Sequence, residues 1–246
     1  MSGTRAPALR RAGLRERKKL ATRQAIADVA GRLFSQRGYD DVTVAEIAEA
    51  ANVATKTVFN YFPTKESIFF DEDVIMEEAM IRAVRDRAPG ESIYDGIRRL
   101  MTRDIGPPGG DSLPGDADRA AAIAEHARVF TQAPALQAYA VNMFTRHEET
   151  LARLIADDLA TATTDMIPRV VAAALLAPVR SAFLASRQWV HHGVPLREAA
   201  QCQHRDIARA YDLLRASLAD YGRRPTPPAP DPPPPATASA PAAPGT

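Results

Sequence analysis

The sequence predicts an all-α protein of about nine helices, arranged as an N-terminal three-helix head and a C-terminal helical bundle. Apolar residues recur with the 3.6-residue period of a helix over most of the chain, and no segment alternates convincingly as a strand would. Capping residues and helix stops separate the periodic segments from one another. With 246 residues, 46% of them hydrophobic, the chain is long enough to bury a substantial core.

The first helix is predicted at about residues 14–36, and Gly38 supplies its C-terminal stop. Its apolar face has helical offsets and comprises Ile26, Val29, Ala30, Leu33 and Phe34. A basic arm precedes it: residues 1–23 contain only one acidic residue, Glu16, against Arg5, Arg10, Arg11, Arg15, Arg17, Lys18, Lys19 and Arg23. This arm indicates a polyanion partner, either nucleic acid or a membrane surface. A solvated, disordered leader is the alternative.

A second, short helix is predicted to begin at a capping box over residues 43–46, in which Thr43 and Glu46 bind each other's backbone amides. Its inward residues would be Val44, Ile47, Ala48 and Ala51. Asn52 tolerates the left-handed backbone of a tight turn, and Val53 fills the corner that follows. These features predict a sharp turn into a third helix.

The third helix is predicted to be capped by Thr55 and stopped by Pro63. Val58, Phe59 and Phe62 are expected to point inward, while Lys56, Thr57, Asn60 and Tyr61 occupy other faces. Two short helices with these offsets predict a helix-turn-helix at residues 43–62, whose second helix is placed to enter a DNA major groove. Asn pairs with adenine and Lys with guanine, so the polar residues suit base reading. A helical hairpin without a DNA role is the alternative.

Six more helices are predicted, at about 64–87, 91–104, 117–132, 135–160, 166–191 and 195–221. A Gly- and Pro-rich stretch at 106–116 is expected to form a long loop. Residues 225–246 hold ten of the twenty prolines, a composition typical of disorder. The predicted organisation is a disordered basic arm at 1–14, a DNA-binding domain at 15–63, a helical domain at 64–222 and a Pro/Ala-rich disordered tail at 223–246.

Residues 17–70 resemble the DNA-binding domain of the tetracycline-repressor (TetR) family of one-component regulators. The shared features are Leu33-Phe34, Gly38-Tyr39, Thr43-Val44 and Ile47-Ala48, followed by VATKTVFNYFPTKE at residues 53–66. Two positions depart from the family pattern: Asn52 replaces a usual Gly, and Phe59 replaces a commoner Tyr. The second change removes a hydroxyl that could bind phosphate.

The resemblance implies a DNA-binding regulator, expected to be a repressor that binds a palindromic operator as a homodimer and is released by a small-molecule effector. The implied contacts are phosphate for Thr43 and Lys65 at helix N-termini, the groove for Thr55, Lys56, Thr57 and Asn60, and phosphate or sugar for Tyr61. Val44, beside Thr43, belongs to the same predicted set. In this setting the arm residues, with Arg17, Lys18 and Lys19 foremost, add positive charge against the DNA backbone or the minor groove.

The resemblance also implies that the helices at 166–191 and 195–221 pair with their copies in a four-helix dimer interface. An effector pocket would be formed by the body helices and lined by Met76, Met80, Ile97, Met101, Phe130, Tyr139, Met143, Phe144 and Trp189. Large apolar residues at helical spacing are also what a plain core contains, so core packing is the alternative for this set.

No catalytic, cofactor-binding or metal-binding pattern is recognised, and the five histidines include no i, i+4 pair. Cys202 is the single cysteine, which excludes an intrachain disulfide and fits a cytoplasmic location. No secretion signal or apolar run of about 20 residues is visible, so no membrane partner is expected. The alternatives to a regulator are a helical protein-interaction module with a proline-rich tail and, less favoured by the motifs, an enzyme.

Overall fold

The computed structural model describes residues 13–71, 73–102, 116–162, 164–191, 194 and 196–226. Within these residues the side chains of 14–16, 116–123, 186–191, 196, 197 and 200 are not described. The predictions for residues 1–12, for most of the loop at 106–116, for the tail beyond residue 226 and for the side chain of Trp189 therefore lie outside the described part of the chain.

The all-α prediction is confirmed: the described residues form ten helices and contain no strand. The helices are α1 (Leu14–Arg37), α2 (Val44–Ala50), α3 (Thr55–Tyr61), α4 (Lys65–Phe69), α5 (Asp73–Arg85), α6 (Ile93–Met101), α7 (Asp116–Gln132), α8 (Pro134–Leu159), α9 (Ile167–His191) and α10 (Leu196–Leu218). The segment predicted as one helix at 64–87 is divided into α4 and α5. The division falls at Phe70, whose backbone (φ −99°, ψ 46°) leaves the helical region.

The head consists of α1, α2 and α3, with α4 packed against α1. Its core is formed by the apolar face of α1 together with residues from the two short helices, and the most deeply buried members are Ile26, Ala30, Phe34, Val42, Ile47, Val58 and Phe62. Because each of α2 and α3 has only seven residues, its stability comes from this packing rather than from the helix alone.

The body is a bundle in which α8 packs against α9 and α5, while α9 also packs against α10. One buried cluster fills the part of the bundle between α5, α6, α8, α9 and α10, with Tyr94 and Tyr211 among its largest members. Tyr94 donates a hydrogen bond to the Tyr211 carbonyl at 2.6 Å, and Tyr211 donates one to the Leu175 carbonyl at 2.7 Å. These buried hydroxyls tie α6, α10 and α9 together without leaving a polar atom unpaired.

The core of the head is continuous with the near end of the body. A single buried cluster runs from Ile26 in α1 through Phe69 and Phe70 to Phe130 in α7 and Phe144 in α8. Aromatic rings make this joint: Phe70 stacks on Tyr139 with ring centroids 5.3 Å apart, and Phe130 meets Phe183 at 4.9 Å. One continuous packed core therefore joins the head to the near end of the body.

Candidate nucleic-acid interface

The start of α2 is held by the predicted capping box. The Glu46 amide donates to the Thr43 hydroxyl at 3.2 Å, and the Glu46 carboxylate accepts from the Thr43 amide at 2.8 Å and the Thr43 hydroxyl at 2.7 Å. Arg37 donates to the same carboxylate at 2.8 Å. The backbone and hydroxyl bonds from Thr43, followed by the bond from Arg37, lower the pKa of Glu46 to about 2. The hydroxyl proton of Thr43 is therefore already donated within the protein.

The turn between α2 and α3 is a Schellman motif. Asn52 has a left-handed backbone (φ 53°), its amide donates to the Glu49 carbonyl at 3.0 Å, and the Val53 amide donates to the Ala48 carbonyl at 2.9 Å. Asn52 therefore adopts the left-handed conformation for which the tetR-family pattern usually has Gly.

The N-cap of α3 is Ala54, not Thr55 as the sequence suggested, because Ala54 is the last extended residue (φ −72°, ψ 146°) and its carbonyl accepts the first helical hydrogen bonds. Thr55 begins the helix with its side chain exposed.

Four exposed residues form one strip along α3, namely Thr55, Lys56, Phe59 and Asn60, which we call the α3 strip. Thr57 and Tyr61 are half-buried, and Tyr61 packs against the head core. The prediction that Phe59 points inward is wrong: Val58 and Phe62 are fully buried, whereas Phe59 is 49% exposed. Residues 58 and 62 are one turn apart on a helix, while residue 59 lies about 100° round from 58.

The basic arm divides into two groups in the described residues. Arg17, Lys18 and Lys19 are exposed at the beginning of α1. Arg23, expected to act with them, is half-buried and turned into the protein. It donates to the Tyr61 carbonyl at 2.8 Å and to the Asp71 carbonyl at 2.9 Å, and its guanidinium carbon lies 4.1 Å from the centre of the Phe62 ring. Burial lowers the pKa of Arg23, and the charge of Asp71 opposes that shift.

Arg23 places the basic arm beside α3. Arg23 reaches the carbonyl of Tyr61, the last residue of α3, and the exposed cations Arg17, Lys18 and Lys19 precede Arg23 on α1 by about 6–9 Å along the helix axis. Arg23 also reaches the turn between α4 and α5. One side chain therefore joins α1, the end of α3 and the connection to the body.

Lys65 lies at the start of α4, as predicted, but its ammonium group is already engaged. Its nitrogen lies 4.1 Å from the centre of the Tyr39 ring, and desolvation by the surrounding head residues lowers its pKa. A second capping box, between Thr64 and Ser67, fixes this helix start. Lys65 is thus a positioned, half-buried cation at the edge of the head.

Two polar residues of α7, Arg128 and His126, also contact α1 and α4, and the sequence did not predict these contacts. Arg128 donates to the Ser35 carbonyl in the last turns of α1 at 2.8 Å, and it is held by Glu125 on its own helix. The His126 ring stacks on Phe69 with centroids 3.9 Å apart, and desolvation lowers its pKa to about 4. An uncharged imidazole at neutral pH suits this aromatic packing. Both residues belong to a helix whose N-terminal side chains are not described.

The predicted pocket residues do not form one group in this structure. Phe130, Tyr139, Met143 and Phe144 lie in or against the cluster shared with the head, while Met76, Met80, Ile97 and Met101 lie in or against the cluster of the distal body. Trp189 lies outside the described side chains. The sequence pattern identified the apolar faces of these helices, but it did not show which of the two buried clusters each face belongs to.

An apolar groove runs along the surface between α9 and α10. Small residues of α9, including Ala174, Ala177 and Ser181, form one wall, and residues of α10, including Ile207, Ala210 and Leu213, form the other. Leu213 is 82% exposed, and Met166, Ile167 and Val170 at the start of α9 are also exposed. The sequence predicts no segment of membrane-spanning length because Arg169 and Arg180 interrupt the apolar run, yet Ile167–Ala185 has the length and mean hydropathy (1.5) of a membrane span, and 33% of it is buried. Exposed apolar side chains are therefore concentrated on this face of α9 and α10, as is typical of a surface that binds another protein.

No group of three or more potential metal ligands occurs among the residues that the structure describes. His147, buried on α8, instead pairs with Asp73 at the start of α5 at 2.6 Å, where Arg146 also approaches that carboxylate at 3.3 Å. These polar side chains join α8 to α5.

Comparison with known families finds two matches in the chain. The family described as bacterial regulatory proteins, tetR family, matches residues 26–71, which run from the middle of α1 to the turn after α4. The family described as the MftR C-terminal domain matches residues 112–221. The two matches together cover the second half of α1, the helices α2 to α4 and the helices α7 to α10.

Two transcriptional regulators and one solved structure are similar to this chain over most of its length. The HTH-type transcriptional regulator TcmR of Streptomyces glaucescens is 31% identical over 222 residues, which are 87% of this chain and 91% of that protein. The putative mycofactocin biosynthesis transcriptional regulator MftR of Mycobacterium tuberculosis is 28% identical over 204 residues, 82% and 93% of the two chains. The structure of SmeT, a repressor from Stenotrophomonas maltophilia, covers 83% of this chain and 97% of its own, with 18% identity and a TM-score of 0.47.

Proposed function

The chain belongs to the tetR family and is a DNA-binding transcriptional regulator, and we propose that it binds a palindromic operator as a homodimer and is released by a small-molecule effector. The family is one of regulators and not of enzymes, so the enzyme alternative is set aside. Regulators of this family are typically cytoplasmic, and we place this one there. Repression is the mode that we expect.

The observation that carries the DNA-binding proposal is the combination of the α3 strip with the basic start of α1. The strip presents Thr55, Lys56 and Asn60 to solvent, and these side chains can hydrogen-bond base edges in a major groove. The exposed cations Arg17, Lys18 and Lys19 neutralise phosphates beside the end of α3. Half-buried Thr57 and Tyr61 border the strip, where Tyr61 would reach sugar or phosphate.

The remaining phosphate contacts are proposed at the starts of α2 and α4. Because the Thr43 hydroxyl already donates to Glu46, the backbone amides of Val44 and Ala45 are the better donors at α2. Lys65 would contact phosphate from its position over Tyr39, with little loss of side-chain freedom on binding.

We predict that the purified protein retards a DNA fragment from upstream of its own gene and that affinity falls steeply as salt rises. With about six phosphate contacts, the log–log slope of the binding constant against salt would be about −5. Gel retardation over a salt series, with a fragment of equal length from inside a coding region as control, measures both quantities. Equal binding to both fragments, or binding insensitive to salt, would contradict the proposal.

We propose that the homodimer forms through α9 and α10, along the apolar groove and the exposed residues beside it. A two-fold interface uses the same surface of both copies, so this apolar face of one chain would pack against the same face of its copy. Leu213 is the most exposed large apolar residue of that face and suits a central position in the interface. Two heads fixed in this way would read half-sites one helical turn apart.

Leu213→Glu is therefore expected to convert the dimer into monomers at micromolar concentration, because a charge buried against its copy lacks a partner. Sedimentation velocity would show a species of half the wild-type mass, and operator binding would fall with it. Ile75→Glu is the matched control, since Ile75 is also an exposed apolar residue (52%) but lies on α5, which packs mainly on α6 and α8. A Leu213→Glu protein that stays dimeric would refute this interface.

The effector is proposed to bind among the body helices and to act on the head through the joint at α7. Of the predicted pocket residues, Phe130, Tyr139, Met143 and Phe144 lie at this joint and are proposed to line the site, whereas the other four described residues lie in the separate distal cluster. Arg128 and His126 hold α7 against α1 and α4, so an effector that displaces α7 changes the placement of the head. Release requires that the effector bind the two placements with different affinity.

A further inference from the structure

Phe59 is an apolar ring on a surface that is otherwise built of hydrogen-bonding groups. It lies in the α3 strip, one turn after Thr55 and next to Asn60. About half of its surface (49%) is exposed, and it belongs to neither of the two buried clusters. The head core takes Val58 and Phe62 from the same helix, whereas Phe59 lies outside that core.

An exposed phenyl ring gains free energy when another apolar group covers it. The strip around it is cationic at Lys56, and three more exposed cations lie near the end of the same helix, so the complementary partner is a polyanion rather than a protein or a lipid tail. Within a DNA major groove one apolar group is available, the C5-methyl group of thymine. If α3 lies in the major groove, the apolar Phe59 ring and the apolar thymine methyl group can contact each other there.

We propose that Phe59 is a specificity-determining residue that packs against the C5-methyl group of a thymine in each half-site of the operator. The inference rests on the proposed function, because it requires α3 to lie in the major groove. Phe59 has no hydroxyl and cannot bind a phosphate, so its contribution is to base choice. Asn60 and Lys56, which flank it in the strip, read hydrogen-bonding groups of neighbouring bases.

The test uses the full chain and a duplex of 24 base pairs recovered by selection from a random library. Each thymine of one half-site is replaced in turn by deoxyuridine, which removes only the methyl group. We expect one position at which this replacement weakens wild-type binding by about three- to tenfold, the effect of one buried methyl contact. Phe59→Ala should bind the thymine duplex less tightly and show no further loss at that position.

Lys56→Ala is the matched control on the same helix. It should bind more weakly to all duplexes and keep the wild-type sensitivity to deoxyuridine. If Phe59→Ala retains the full deoxyuridine effect, or if no thymine methyl matters to the wild type, the contact is refuted. Failure of the wild type to retain any duplex during selection would instead refute the proposed DNA-binding function.

Discussion

Arg23→Ala is expected to weaken operator binding by about tenfold or more without changing the slope of affinity against salt. The guanidinium is bound by the carbonyls of Tyr61 and Asp71 and covers the Phe62 ring, so it is not a phosphate ligand in this structure. Its removal frees the end of α3 from α1 and from the turn before α5. The reading helix then loses its fixed orientation, which weakens base contacts more than phosphate contacts.

The expected effect on folding is also substantial. Each hydrogen bond from a charged donor contributes about 1.5–3 kcal/mol, and the stacked guanidinium adds about 0.5–1 kcal/mol. Since Arg23 is only half-buried, we expect a total loss of about 2–4 kcal/mol in the free energy of unfolding. Chemical denaturation measures this loss, and retardation gels with operator and random DNA measure how far specific binding falls relative to non-specific binding.

Two variants separate a positioning role from a charge effect. Lys19→Ala removes an exposed cation of the same arm and should reduce the magnitude of the salt slope by about 0.9. Arg23→Lys keeps the charge but not the fork that reaches two carbonyls, so it should resemble Arg23→Ala. A reduced salt slope for Arg23→Ala, or wild-type affinity for Arg23→Lys, would show that Arg23 acts through its charge on DNA.

The helices could be predicted closely because their signals are local. The bounds expected for α8, 135–160, differ by one residue at each end from Pro134–Leu159, since periodicity and capping depend on neighbours in sequence. The break at Phe70 could not be predicted in this way. There, packing of Phe70 on Tyr139 and Phe130 from distant helices outweighs helix propensity.

The errors at the proposed DNA-binding surface have a common origin, which is assigning a side chain's direction from its polarity. Phe59 was expected inside because it is apolar, and Arg23 outside because it is charged. The helical angle predicts both correctly: Phe59 follows Thr55 by four residues, and Arg23 precedes the buried Ile26 and Ala30 by three and seven. The head–body contacts of Arg128 and His126 had no local signal, because their partners lie on another helix far along the chain.

The other large expected effect concerns a buried ion pair at the far end of the body. Arg87 is 3% exposed, and it donates to Asp158 at 2.6 Å, to the Val84 carbonyl at 2.7 Å and to the Gly222 carbonyl at 3.2 Å. Arg224 approaches the same carboxylate at 3.8 Å and donates to the Arg87 carbonyl. The backbones of Gly90 and Glu91 also bond to Arg224. The chain after α10, including the first residues of the predicted tail, is thus anchored on α5, α8 and the loop before α6.

Arg87→Met is expected to lower the free energy of unfolding by about 3 kcal/mol, because Asp158 and two carbonyls lose their buried cationic partner. The value lies at the lower end of the range for buried pairs, since the Asp158 side chain is 19% exposed and Arg224 remains nearby. Urea denaturation measures the change. Arg153→Met, which replaces an exposed arginine of the same helix as Asp158, should alter stability by less than about 0.5 kcal/mol.

A second substitution distinguishes the loss of the pair from the loss of packing. Replacing both partners, with Arg87→Met and Asp158→Leu, removes the unpaired carboxylate and should recover at least half of the lost stability. Operator affinity of the folded single variant should equal that of the wild type, because α5 separates Arg87 from the head by about 20 Å along its axis. If the double variant is less stable than Arg87→Met, the two side chains stabilise the fold through their packing rather than through their charges. An operator-binding defect in a stably folded Arg87→Met protein would contradict this expectation and would show that the region around Arg87 also influences the head.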